Sequence, residues 1–139
     1  MIRTRRAAGF VAMAIGSVGF AAHAQAQLLP AGRRAPDFQL ENLDGRPVVL
    51  SAFRGRTVVL VIGRGRAAGI LCGDWGTALR RALANEARAI VLGIADVHLP
   101  FFLSRDFVRS RVRRTNEIAH DTMLLDWGGE VSERFGADV

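Results

Sequence analysis

Cys72 is the only cysteine in the chain, and its thiol is the main candidate for redox or nucleophilic chemistry. The thiolate is the reactive form, and a helix N-terminus or a nearby positive charge favours it. Cys72 comes just before a segment of helical spacing that starts at Asp74, and Arg64 and Arg66 lie a few residues upstream. These features would activate the thiol, whereas the Asp74 carboxylate would oppose ionisation. The alternative is an inert buried side chain, since free cysteine is among the most buried residue types.

The other residues with chemical potential predict neither a metal site nor a nucleotide site. His98 and His120 are isolated, with no second ligand at helical or hairpin spacing. The segment Gly63-Arg64-Gly65 lacks the third glycine of a dinucleotide-binding loop. We therefore expect no metal ion and no cofactor. Arg64 and Arg66 remain candidate binding residues at the edge of a partner groove.

Composition favours one packed domain. Half of the 139 residues are apolar and 23% are charged, which supplies a hydrophobic core and gives no indication of disorder. The net charge of +6 includes three arginines of the N-terminal segment, Arg3, Arg5 and Arg6. A nucleic-acid-binding surface usually adds interleaved aromatic residues and a clustered basic face, so we expect no nucleic-acid partner.

Residues 1–26 have the three-part pattern of a secretory signal peptide: a basic start, an apolar stretch and small residues at its end. Cleavage is expected after Ala24 or Ala26, followed by a linker over residues 27–34. The pair Arg5-Arg6 leaves the twin-arginine route open beside the general secretory route, and an uncleaved segment would become a membrane anchor. The prediction is a periplasmic or secreted protein with no membrane attachment after cleavage.

The mature chain alternates strand and helix patterns. The turn Asp44-Gly45 predicts a β-hairpin over residues 38–49. The apolar runs Val58–Ile62 and Ile90–Ala95 predict strands that are covered on both faces. Helical spacing over Asp74–Ala87 separates them by the length that a parallel crossover requires. The predicted fold class is α/β with an N-terminal β-hairpin beside a parallel strand-helix-strand unit.

The last third of the chain predicts further helices and one strand. A helix is expected over Ser104–Arg114 with Ser104 as its N-cap. Met123–Asp126 predicts a short strand, and Val131–Phe135 predicts a helical turn that Gly136 ends. Three arginines spaced four apart on the earlier helix are expected to form a solvated basic side: Arg105, Arg109 and Arg113.

The stretch Gly32–Val61, GRRAPDFQLENLDGRPVVLSAFRGRTVVLV, resembles the opening of the redoxin group of the thioredoxin-like superfamily. This group contains the AhpC/TSA peroxiredoxins and the exported thiol-disulfide reductases of the TlpA type. Residues 125–136 resemble a later segment of the same group. The resemblance implies a thioredoxin-like fold over residues 35–139 and a thiol-dependent antioxidant or oxidoreductase activity, with Cys72 as the working sulfur and an external thiol as the reductant.

The chain departs from that group in two respects. Residues 64–72 contain neither the paired-cysteine motif of the reductases nor the proline and threonine of the peroxidatic motif. The sequence also stops before the cis-proline and the last strands of that group, which predicts an incomplete fold with Val58–Ile62 at an exposed edge. Either the sequence is a fragment of a longer product, or another chain completes the sheet. The alternative function is therefore a redox-inactive thioredoxin-like domain that binds a protein partner, and whether the chain is an enzyme stays open.

Overall fold

The computed structural model describes residues 29–98, 102–115 and 122–137, except for the side chains of Arg66, Ala67 and Thr115. The predicted signal peptide and the first two residues of the predicted linker, 27 and 28, lie outside these residues. The elements in chain order are β1 (Gln39–Asn42), β2 (Pro47–Val49), a 3-10 turn (Leu50–Phe53), β3 (Thr57–Arg64), α1 (Gly65–Ala82), β4 (Ala89–Val97), α2 (Arg105–Thr115), β5 (Met123–Trp127) and α3 (Glu130–Arg134). The fold is α/β, as the sequence predicts.

The strands form one five-stranded sheet in the order β2-β1-β5-β4-β3. β3 and β4 pair in parallel with Val58 opposite Ile90, which confirms the predicted strand-helix-strand unit. β4 and β5 also pair in parallel. The connections β3–α1–β4 and β4–α2–β5 each move one strand in the same direction across the sheet. Because such connections are right-handed, α1 and α2 lie on the same face of the sheet.

The N-terminal hairpin forms around the predicted turn. β1 and β2 pair in antiparallel fashion, and Gly45 adopts a φ of 77°, which a glycine accepts without strain. The buried side-chain oxygen of Asn42 accepts hydrogen bonds from the backbone N–H groups of Asp44 and Arg46, at 3.0 and 2.8 Å. The expected position of the hairpin beside the β3–β4 unit is wrong, because β5 pairs with both β4 and β1 and separates them.

The main hydrophobic core lies on the face of the sheet opposite α1 and α2. Its buried members are Phe38, Leu40, Leu92, Ile94, Leu124 and Val131. Asp126 fixes α3 to the end of β5, since its carboxylate accepts hydrogen bonds from the Ser132 backbone N–H and hydroxyl, both at 2.8 Å. The short α3 is therefore held by a buried polar contact as well as by Val131.

Helix α1 begins earlier than the sequence predicts. The expected start at Asp74 is wrong, because the helix starts at Gly65 and continues to Ala82. Glycine lowers helix propensity by about 1 kcal/mol each, and the glycines at 65, 69 and 73 make this stretch look like a loop. In the structure, packing of α1 against β3 and β4 outweighs that penalty.

β3 is the last strand of the sheet within the described residues. Its eight residues, TVVLVIGR, leave one row of backbone groups without a strand partner there. The predicted apolar edge is thus present in the described part of the chain. None of the helices in that part is long and apolar enough to span a lipid bilayer.

Candidate functional site

An apolar groove of about 490 Å³ lies between α1, α2 and the sheet, and we call it the α1–α2 groove. The sheet forms its floor and the two helices form its walls. Its main lining residues are Val61, Gly63, Gly93, Val97, Gly69, Cys72, Gly76, Arg80, Val108 and Val112. At the floor, the Cys72 sulfur lies above Gly63 and the Met123 side chain lies above Gly93, so both positions need glycine.

Cys72 lies in the wall of this groove, closely packed against β3. A Cβ atom on Gly63 would come within 2.6 Å of the Cys72 sulfur, so only glycine fits at residue 63 while the thiol keeps this position. The Cys72 thiol donates a hydrogen bond to the Ile62 carbonyl at 3.4 Å. Burial raises the pKa of the Cys72 thiol above its ordinary value. The sulfur is therefore a protonated, weakly nucleophilic group at neutral pH.

The predicted activation of Cys72 by a helix N-terminus is wrong. Cys72 lies seven residues after Gly65, in the third turn of α1, and the dipole effect is confined to the first turn. That first turn, residues 65–68, contains no thiol. The expectation failed because it depended on a helix start at Asp74.

The carboxyl ends of β3 and β4 bring together a charged cluster of Arg64, Asp96 and His98. Arg64 Nε lies 3.2 Å from Asp96 Oδ2, and the Asp96 side chain is only 2% exposed. His98 Nδ1 lies 2.9 Å from Asp96 Oδ1, without the alignment of a hydrogen bond. Gly129 lies against the cluster, because a Cβ there would be 3.0 Å from His98 Cε1.

Sequence reasoning placed Arg64 at the edge of a groove and treated His98 as isolated. The structure instead pairs both with Asp96, which is the first polar residue after the apolar run of β4 and stands opposite Arg64 in register. That position was a signal for the cluster, since the carboxyl ends of parallel strands meet at one edge. Arg66 lies in the first turn of α1, but its side chain lies outside the described part.

Arg80 is a second charged group in the α1–α2 groove, and sequence reasoning missed it. Its guanidinium folds back along α1, where Nη2 lies 2.9 Å from the position of a Cβ on Gly76. No carboxylate pairs with Arg80 among the residues that the structure describes. Burial lowers the pKa of Arg80 from its ordinary value.

Two arginines of α2 attach this helix to the N-terminal hairpin. Arg109 pairs with Glu41, whose carboxylate also accepts a hydrogen bond from Trp127 Nε1 at 3.2 Å. Arg113 donates to the Leu43 carbonyl at 2.7 Å. The expected solvated basic side is therefore wrong for Arg109, whose side chain is 21% exposed. Arg113 is exposed as expected, although it also contacts the hairpin.

Metal-binding side chains do not cluster in the described parts of the chain. Over residues 29–98, 102–115 and 122–137, no group of three or more His, Cys, Asp or Glu is arranged to hold a metal ion. His120 lies outside the described residues.

Solved structures share this arrangement of sheet and helices. The thioredoxin domain of a thiol-disulfide oxidoreductase from Bacteroides vulgatus matches 78% of this chain with a TM-score of 0.57 and 16% identity. An exposed lipoprotein thioredoxin from Streptococcus pneumoniae matches 73% with a TM-score of 0.52 and 22% identity. The chain has the thioredoxin-like fold. A thiol peroxidase from Chromobacterium violaceum is also similar over 79% of the chain, with a TM-score of 0.53 and 17% identity.

The chain spans only part of the length of each of these neighbours. It covers 73% of the Bacteroides vulgatus and Streptococcus pneumoniae chains and 60% of the thiol peroxidase. It covers 64% of a disulfide-isomerase-like protein from Bacteroides thetaiotaomicron. No protein-family model and no curated protein matches the sequence. At such low identities, the likeness establishes the fold.

Proposed function

We propose that this chain is an exported thioredoxin-like domain that binds an apolar ligand in the α1–α2 groove and performs no thiol chemistry at α1. The observation that carries the proposal is the position of Cys72. Its thiol is packed against Gly63 in the third turn of the helix, and burial raises its pKa. An active thiol instead needs a position where the thiolate is stabilised.

The dimensions and lining of the groove support ligand binding. Its volume of about 490 Å³ lies within the range of roughly 300–1,000 Å³ for small-molecule sites. Val61, Val97, Val108 and Val112 supply apolar contact surface. The charged cluster at Asp96 lies at the end of the groove where the parallel strands end, the usual place for ligands in α/β sheets.

Export is supported by the sequence pattern of residues 1–26 and by the nature of two structural neighbours. One neighbour is an exposed lipoprotein, and another is a secreted disulfide oxidoreductase from Mycobacterium tuberculosis. In this proposal the signal peptide is removed and the domain works outside the cytoplasm, free of the membrane and without a nucleic-acid partner.

Redox assays and dye binding test the proposal together. Peroxide consumption and insulin-disulfide reduction with dithiothreitol should stay at the blank rate for the wild type and for Cys72→Ser. The neutral dye Nile red should fluoresce on binding to the wild type, and Gly69→Leu should reduce the signal because the new side chain occupies the groove. Redox turnover that disappears in Cys72→Ser would contradict the proposal, as would dye binding that is unchanged in Gly69→Leu.

A thiol-dependent antioxidant or oxidoreductase is the second candidate function. The observation that favours it is that Cys72 lines the groove, where a small oxidant that enters would meet the sulfur. Peroxide would oxidise the thiol to a sulfenic acid with release of water, and two molecules of an external thiol would restore it while forming their own disulfide and water. Peroxide consumption that requires both Cys72 and the added thiol would establish this activity.

A further inference from the structure

The α1–α2 groove contains a positive charge that an apolar ligand alone does not explain. The Arg80 guanidinium lies against Gly76 within the groove lining, partly removed from water. Burial of an unpaired charge is unfavourable, and an anion that enters the same space would offset this cost.

The other charges at the groove do not supply that anion. Asp96 is the acidic residue of the lining, and its carboxylate is already occupied by Arg64 at 3.2 Å and by His98 at 2.9 Å. Among the lining residues that the structure describes, the groove therefore combines an apolar surface with the Arg80 guanidinium, which no carboxylate there pairs with.

We propose that the α1–α2 groove binds a medium-chain monocarboxylate, with its carboxylate on Arg80 and its alkyl chain along Val61, Val108 and Val112. A guanidinium fork matches the two oxygens of a carboxylate and binds them more strongly than a neutral hydroxyl. The valines of the lining give an apolar surface on which an unbranched alkyl chain can lie. This ligand class rests on the proposed function, because it specifies what the groove binds.

Titration calorimetry of the full chain with dodecanoate and with dodecanol measures the contribution of the head group. We expect dodecanoate to bind at least about tenfold more tightly than dodecanol, since a hydrogen bond to a charged group contributes about that factor. The cation dodecyltrimethylammonium should bind more weakly than dodecanol. Octanoate should bind more weakly than dodecanoate, by roughly fourfold for each missing methylene group that is buried.

Two pairs of variants locate the ligand. Arg80→Gln should lose the tenfold preference for dodecanoate and leave dodecanol binding unchanged, whereas Arg81→Gln, on the exposed side of the same helix, should behave like the wild type. Gly69→Leu should weaken both ligands. Gly69 has open space around its Cβ position, so the variant fits without a clash, and Gly69→Ala is its matched control.

The outcomes separate the ligand class from the proposed function. In one outcome, dodecanoate, dodecanol and the cation would bind equally well, and Gly69→Leu would weaken all three. This result would overturn the inferred preference for a carboxylate and support the proposed apolar site. Dodecanoate binding that neither Arg80→Gln nor Gly69→Leu changes would place the ligand elsewhere and overturn the inference. No binding of any of these ligands, together with no Nile red signal, would contradict the proposed function as well.

Discussion

The contact between Gly63 and Cys72 makes a quantitative prediction about folding stability. In Gly63→Ala the added Cβ would lie 2.6 Å from the Cys72 sulfur and 3.3 Å from its Cβ, so the helix or the strand must shift. Overpacking of this kind costs about 1–3 kcal/mol. Replacement of a strand glycine by alanine returns about 0.5–1 kcal/mol. The net expectation is a loss of about 1 kcal/mol in the free energy of unfolding.

Removal of the sulfur should reverse the sign of that effect. In the Cys72→Ala background the nearest remaining contact is the residue-72 Cβ at 3.3 Å, which a small adjustment can accommodate. Gly63→Ala should then be neutral or slightly stabilising. The coupling energy between the two substitutions should be about 1–2 kcal/mol, within the range of roughly 0.5–3 kcal/mol for residues in contact.

Urea denaturation of the wild type, the two single variants and the double variant measures this coupling. Equal denaturant slopes for the four proteins would validate the comparison of their free energies. Strictly additive effects would refute the reasoning, because they would show that the thiol does not pack on residue 63. The helix would then present Cys72 in another direction.

Three further predictions concern the rest of the fold. Asp126→Ala should lower the free energy of unfolding by about 2–3 kcal/mol, since the buried Ser132 groups lose their acceptor, and Asp126→Asn should lose less in the same denaturation assay. Burial raises the pKa of Glu41, but hydrogen bonds from Trp127 and Arg109 outweigh it and hold the pKa below its ordinary 4.5. The Glu41 contribution to stability is thus complete above pH 4.5 and is lost as the pH falls through the lowered value, and Glu41→Gln should flatten an acid titration of stability. At the edge of the sheet, Thr57→Lys should reduce concentration-dependent association measured by light scattering, whereas association identical to wild type would show that the β3 edge is not the contact.

The sequence predicted most of the strands because their signals are local. The β-branched runs at 58–62 and 90–95 have no polar face, and Asp44-Gly45 marks a tight turn, so the parallel pair and the hairpin could be derived. The predicted N-cap of α2 also depends on a local signal. It is confirmed, because the Ser104 hydroxyl oxygen accepts a hydrogen bond from the Phe107 N–H at 3.2 Å. The order of the strands depends on which edges meet, and no local pattern carries that information.

The start of α1 and the site could not be predicted for a related reason. Glycines at 65, 69 and 73 argue against a helix, and the packing of α1 against β3 and β4 outweighs their cost. Trp75 of the same helix is 64% exposed. The partners of Arg109 and Arg113 lie about seventy residues away in the chain, so a solvated face was the natural reading.

The reactivity of Cys72 in the native protein shows most directly whether its thiol is inert. The rate of alkylation by iodoacetamide should be measured at a series of pH values from about 6 to 10. At each pH the reaction is quenched after set times, and mass spectrometry gives the alkylated fraction. We expect slow labelling at neutral pH, an apparent pKa above the ordinary thiol value, and a large acceleration when the protein is unfolded in urea. Rapid labelling of the folded protein at about pH 6–7, with an apparent pKa below the ordinary value, would contradict this expectation and identify Cys72 as an activated thiol.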